Sequence, residues 1–136
     1  SIFKPLSLSD CQPITSSFSA EDQLWYTASP LAKNQINRLK KGPERRKTID
    51  LHALTQHEAI DLLNNLLQKA EKEQQNEWII IHGKGHQSTH QGHPILKNLL
   101  ATYLKKQPLI LAYASAQPKD GGRGAVYVLL KKNKDA

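Results

Sequence analysis

Residues 47–52 read Lys-Thr-Ile-Asp-Leu-His, and residues 77–85 read Glu-Trp-Ile-Ile-Ile-His-Gly-Lys-Gly. Each is an apolar run of strand character that ends in histidine, where a loop or helix must begin. Ligands of open α/β sheets sit beyond the carboxyl ends of the parallel strands. Asp50, His52, His82 and Lys84 are therefore expected at one sheet edge. An acid, two imidazoles and a fixed cation suit chemistry on an anion. Strand alternation puts Asp50 and His52 on one side and turns Ile49 and Leu51 the other way, towards helices. Asp50 is then placed to fix the tautomer of His52, which moves a proton. The plainer alternative is a structural carboxylate–imidazole pair. Gly83 and Gly85 let the backbone approach a ligand and turn N–H groups towards an anion, and Lys84 adds a full charge. The spacing is not that of a Walker loop, and a tight strand exit with an exposed lysine is the plainer alternative.

Two further segments bear on an anion. Asp120-Gly121-Gly122-Arg123-Gly124-Ala125 is either a connection that needs positive φ angles or a phosphate-facing loop with Arg123 as donor. Arg38, Lys40, Lys41, Arg45, Arg46 and Lys47 crowd into ten positions with one acid, Glu44. They form either a solvated basic linker or a phosphate-contacting stripe. His57, His86, His90 and His93 have no cysteine beside them, and the four-residue spacing of His86 and His90 binds metal well only on a helix, which the loop composition disfavours, so they read as solvated and no metal site is assigned.

The elements that must hold these residues can be read from pattern. The chain has 136 residues, enough for one domain with an extension, a formal net charge of +7, and 38% hydrophobic content, which is low for a wholly packed chain and points to a tail. The charge favours a polyanionic partner. Cys11 is the single cysteine, so no intrachain disulfide can form, which fits a reducing cytoplasm. No apolar run approaches the ~20 residues of a membrane span and no secretory signal is visible; a cytoplasmic protein without membrane association is expected. The chain has no methionine, even at position 1, so a longer native N-terminus is expected.

Residues 1–28 lack periodicity and read as a loosely attached arm, with Trp25 and Tyr26 packing on the domain. Residues 29–46 read as a basic helix and linker. Ser29-Pro30 would start the helix, and Gly42-Pro43 would stop it after about Lys41. The domain proper is 47–132, with a tail at 133–136. Its elements are a strand Thr48–His52, a helix opened by a Thr55/Glu58 capping box, a strand Trp78–His82, a helix opened by Pro94, and strands Leu109–Ala114 and Ala125–Leu130. The order β-α-β-α-β-β predicts an α/β fold, specifically an α+β two-layer sandwich. Its four-stranded mixed sheet has the last strand antiparallel and both helices on one face. The other face would carry no helix, and the N-terminal helix would be an extension.

Ile49-Asp50-Leu51-His52, Ile80-Ile81-His82-Gly83-Lys84-Gly85 and Gly121-Gly122-Arg123-Gly124-Ala125 together resemble the Smr (small MutS-related) domain, over about residues 47–132. The basic segment in front resembles stand-alone bacterial members, and His-Gly-Lys-Gly with Tyr127-Val128 is similar to the SmrA type. The resemblance implies a fold like the C-terminal domain of bacterial translation initiation factor three, with the fourth strand antiparallel between the second and third. It also implies nucleic-acid binding, DNA or RNA, with endonuclease activity and a ribosome as a further partner. One departure is Ala53, where the family usually has glycine after Leu-His.

Asp50, with Asp120 or Glu58 only at a distance, is a thin carboxylate set for two metal ions. Histidine acid–base chemistry is therefore expected, with no cofactor required and a divalent cation left open. In that scheme His52 and His82 share the base and acid roles. Lys84 and the N–H groups of Gly83 and Gly85 stabilise the developing phosphorane charge. A non-catalytic nucleic-acid or ribosome-binding module is the alternative.

Overall fold

The computed structural model describes residues 1–12, 17–84, 89–90 and 93–133. Its elements are β1 (Trp25–Thr27), α1 (Lys33–Lys41), β2 (Lys47–Asp50), α2 (Gln56–Glu73), β3 (Glu77–Ile81), the short pair β4 (Thr89–His90) and β5 (His93–Pro94), α3 (Ile95–Lys106), β6 (Ile110–Ser115) and β7 (Ala125–Leu130). The helix starts follow local chemistry. Thr55 Oγ1 accepts from Glu58 N at 3.1 Å while Glu58 Oε1 accepts from Thr55 N at 2.9 Å, a reciprocal cap that satisfies two otherwise orphaned amides. Behind it Ala59, Ile60, Leu63, Leu67 and Ala70 form the buried stripe of α2.

The main sheet runs β1-β6-β7-β3-β2. β2 and β3 are parallel, and β7 lies antiparallel between β3 and β6, as expected from the resemblance. All six residues of β7 are buried, as befits the central strand. On one face Ile49, Leu51, Ile80, Val126 and Val128 meet α2 and α3.

Three features differ from the expected two-layer form. The sheet has five strands, because β1 pairs antiparallel with β6. The second face is not bare: α1 lies on it, with Leu39 fully buried among Ile79, Ala112, Ala114, Tyr127 and Leu129. α1 also starts at Lys33, with Ala32 as cap rather than Ser29, because Gln35 Oε1 accepts from Ala32 N at 2.8 Å and supplies the capping bond.

The first residues are not a loose arm. Leu6, Cys11 and Leu24 enter the main core. Side chains of the helices grip the backbone of this segment much as a neighbouring strand would. Gln107 receives from Lys4 N at 3.1 Å and donates to Lys4 O at 2.7 Å, and Asn64 does the same for Leu6 at 3.2 and 2.8 Å. Glu71 accepts from Ser1 Oγ and Ile2 N, each at 2.6 Å. Burial alone would raise the Glu71 carboxyl, but these bonds and one from Asn133 outweigh it and hold it below its ordinary value. Lys97, 1% exposed, donates to the carbonyls of Ser19, Ala20 and Asp22. Cys11 is wholly buried, and burial pushes its thiol up to about 11. Tyr26 packs on Tyr113 with ring centroids 5.4 Å apart, whereas Trp25 stays half exposed. Among the described residues no helix is long and apolar enough to cross a membrane.

Gly42 ends α1 at φ 96°, and a Cβ there would lie 2.9 Å from Cζ of the buried Tyr127 ring. Gly42→Ala is expected to cost about 1–3 kcal/mol, from left-handed strain and overpacking. A lowered urea midpoint with an unchanged m-value would register it.

Candidate active site

β2 releases the chain at Asp50, and the next residues fold back on its carboxylate. Asp50 Oδ1 accepts the His52 backbone N–H at 3.0 Å and pairs with the ring Nδ1 at 2.5 Å. Both side chains are open to solvent, 46% and 64% exposed. With Nδ1 committed to the carboxylate, Nε2 is the nitrogen left to face a ligand. Ala53, next in the chain, has φ 65°. This is a left-handed conformation that glycine would adopt without strain.

The turn after β3 lies against this pair. A Cβ on Gly83, whose φ is 84°, would sit 3.5 Å from His52 Cβ. The carbonyl of Gly124 accepts from both His82 N at 2.9 Å and Gly83 N at 3.0 Å, tying the turn to the start of β7. A Cβ on Gly124 would lie 3.2 Å from Gly83 C and 3.3 Å from Lys84 Cγ, so a side chain there would push on the turn by a few tenths of an ångström and glycine suits this approach. Lys84 is exposed. It lines a cavity of about 220 Å³ together with Gly121, Gly122, Arg123 and, unforeseen from sequence, Ala20 and Glu21. Arg123 Nε donates to Glu21 O at 2.8 Å, leaving its terminal nitrogens with no partner among the described residues. Asp50, His52, Gly83, Lys84, Gly121, Gly122 and Arg123 thus gather at one sheet edge. Gly85 lies outside the described residues, as does His86. His93 is not a free solvated ring; its Nδ1 is 3.2 Å from Phe18 O.

His82 does not join this surface. Asp50 pairs with Ile81 in the register of β2 and β3, so His82 falls one position on, with the parity of Trp78 and Ile80 that face α2 and α3. It is 4% exposed, its Nδ1 meets Gly83 O at 2.8 Å, and its Nε2 has no partner among the described residues. Burial pushes its pKa down to about 4, against the pull of the Gly83 carbonyl and with help from the Lys97 charge. Buried on the α2/α3 face, this ring stands apart from the exposed His52, which corrects the expectation that the two share a proton shuttle.

The basic segment also divides. Arg46 is structural: it donates to Pro43 O at 2.9 Å and to Asp120 Oδ1 at 3.0 Å, and lies 5.8 Å from the Tyr127 ring centroid. Asp120 Oδ2 takes the Tyr127 hydroxyl at 2.5 Å, so this carboxylate is spent on the fold. Burial, then that bond, raises the Tyr127 phenol. Lys40 and Lys47 are exposed. Arg38 pairs with Glu77 at 3.5 Å, at the far end of β3 from His52, and Lys41 and Arg45 lie beside it. Among the described residues no three His, Cys, Asp or Glu side chains gather as a metal site.

Two outcomes test these placements. Ala53→Gly removes left-handed strain of roughly 1–2 kcal/mol and adds roughly 0.5–1 kcal/mol of chain entropy cost, for a net gain of about 0.5–1 kcal/mol in unfolding free energy. His82, held neutral, contributes stability that is complete above pH 6.5 and is lost as pH falls from 6.5 towards 4. Chemical unfolding across that window should show a decline of about 3 kcal/mol, and His82→Gln should flatten it.

The Smr domain family model matches residues 49–131. The chain is 32% identical over 114 residues to the ribosome rescue factor SmrB of Buchnera aphidicola, covering 83% of this chain and 58% of that protein. It is 31% identical over 106 residues to the ribosome rescue factor SmrB of Vibrio cholerae, covering 77% and 53%. It thus spans little more than half the length of these relatives. The structure superposes on the stand-alone small MutS-related protein YdaL of Escherichia coli with a TM-score of 0.76, 24% identity and coverage of 92% and 95% of the two chains. It superposes on the Smr domain of Thermus thermophilus MutS2 with a TM-score of 0.54 and 27% identity, over 62% of this chain and 98% of that one. The match that runs from Ile49 in β2 to Lys131 just past β7 takes in the whole dyad-and-glycine edge, and the chain belongs to the Smr domain family.

Proposed function

We propose that the protein is a nucleic-acid-binding endonuclease of the Smr type that cuts phosphodiester bonds at the edge formed by His52 and Lys84. The observation that carries this reading is the exposed Asp50–His52 pair, set beside Lys84 by the Gly124 junction. RNA is the substrate that best suits these groups. His52 Nε2 takes the proton of the 2′-hydroxyl while Asp50 holds the imidazolium. O2′ attacks phosphorus, the bond to O5′ breaks, and the products are a 2′,3′-cyclic phosphate and a 5′-hydroxyl protonated from solvent at this open edge. Lys84 and the exposed part of Arg123 stabilise the pentavalent charge. His82 acts as a positioning residue, since its ring bond to Gly83 O fixes the turn that carries Lys84. No cofactor is needed for this route. DNA lacks the 2′-hydroxyl, so nicking it would require water and, at Asp50, a divalent cation. The ribosome is a further partner suggested by the names of the relatives.

A non-catalytic nucleic-acid or ribosome-binding module is the second reading, favoured by Ala53 in place of the family glycine. Against it, Ala53 adopts the left-handed conformation itself.

Matched RNA and DNA, each with and without chelator, separate the readings. The expected result is RNA cleavage to cyclic-phosphate ends, insensitive to chelator, with His52→Ala slower by ~10²–10⁴-fold. Metal-dependent DNA cleavage with intact RNA would sink the transesterification route. Binding without cleavage by the unaltered chain, unchanged in Asp50→Ala/His52→Ala, would establish the second reading.

A further inference from the structure

The six basic residues of the N-terminal segment do not extend the dyad's edge, and three of them converge elsewhere. We infer that the groove at the amino-terminal end of β3 is a second, separate backbone-phosphate site for the same nucleic acid. This rests on the reading of the protein as a nucleic-acid enzyme and adds to it a minimum substrate length and a path.

The groove has a volume of about 690 Å³ and brings Arg38, Lys41 and Arg45 together with Lys132 from beyond β7. Two acids share it, Glu44 and Glu77. Glu77 is already satisfied, because Oε2 pairs with Arg38 at 3.5 Å and Oε1 accepts from Arg45 N at 3.3 Å. Four cations against two acids leave the groove at +2, with Lys41, Arg45 and Lys132 opposed only by Glu44. Its wall is braced rather than loose: Gln75 Nε2 donates to Arg45 O at 3.0 Å and to Glu77 O at 3.3 Å. Three cations in excess of one acid, on a braced concave wall, match the spaced charges of a phosphate backbone.

The groove begins at Glu77 and the dyad's edge at Gly83. Six residue steps separate them, four of them within β3, so the span is at most roughly 20 Å, which a strand stacked at the 3.4 Å spacing of a duplex covers in about six nucleotides. One ligand can touch both places only if it is at least that long.

The test uses the full chain carrying His52→Ala, so that RNA stays uncut, with and without Lys41→Ala/Arg45→Ala/Lys132→Ala. Arg38 is left in place because its ion pair with Glu77 supports the fold. Binding is measured for a trinucleotide and for a single-stranded RNA of about twelve residues. The expected result is a loss of about tenfold or more for the longer RNA and a salt slope shallower by ~2, from three cations at ~0.7 each. Trinucleotide affinity and the urea midpoint should not move. An unchanged affinity and slope for the longer RNA would remove the groove while leaving the nuclease reading intact. Equal weakening of both ligands would show that the three residues act only through net charge, and would also overturn the inference. If the unaltered chain bound neither ligand, the nuclease reading would fail first and the groove with it.

Discussion

The junction between the exit of β3 and the start of β7 is the constraint on which the rest of the candidate site depends. One carbonyl, that of Gly124, receives two successive amides, and the glycine's missing side chain is the space that Gly83 and Lys84 occupy. A backbone carbonyl has two lone pairs, so this arrangement satisfies both amides while pulling two chain segments together. β2 is tied into the same junction, since Leu51 N donates to Ile81 O at 2.7 Å. The Asp50–His52 pair therefore meets the lysine turn mainly through backbone bonding, with the His82 ring on Gly83 O as a side-chain brace. No charged side chain has to be buried to bring them together.

The same economy is visible on the second face. Arg46, Asp120 and Tyr127 form a closed set in which the carboxylate takes both a guanidinium and a phenol. Tyr127 OH also receives Gln117 N at 3.1 Å. This set holds the turn before Gly121 over the sheet and anchors the linker that follows α1. The glycine loop thus owes its position in part to Arg46, a residue that sequence alone would assign to phosphate.

Much of this was legible beforehand, and the failures have physical causes. The Thr55/Glu58 cap and the broad apolar stripe behind it announced α2, and the short connection before β7 announced its direction. The pairing of Asp50 with His52 followed from alternation. The same parity rule, applied across the β2–β3 register, would have sent His82 to the helices; adjacency to Lys84 in the motif concealed it. The N-terminal segment was unreadable for a different reason. Its anchors are single residues, Leu6, Cys11 and Leu24, without periodicity, and its backbone is satisfied by side chains more than fifty positions away. Such bonds leave no local signature. The five-stranded sheet and the covered second face went unseen with it.

Cys11 gives that segment an internal clock. It is the chain's single thiol, it has no solvent exposure, and burial keeps it protonated well above neutral pH. A thiolate is the reactive form, so modification has to wait for the residues around it to part from the helices. The rate at which a small thiol reagent reacts therefore reports how often the first dozen residues detach, separately from global unfolding. Glu71 and Gln107, which grip Ile2 and Lys4 in that stretch of chain, set the pace of that clock from inside the fold.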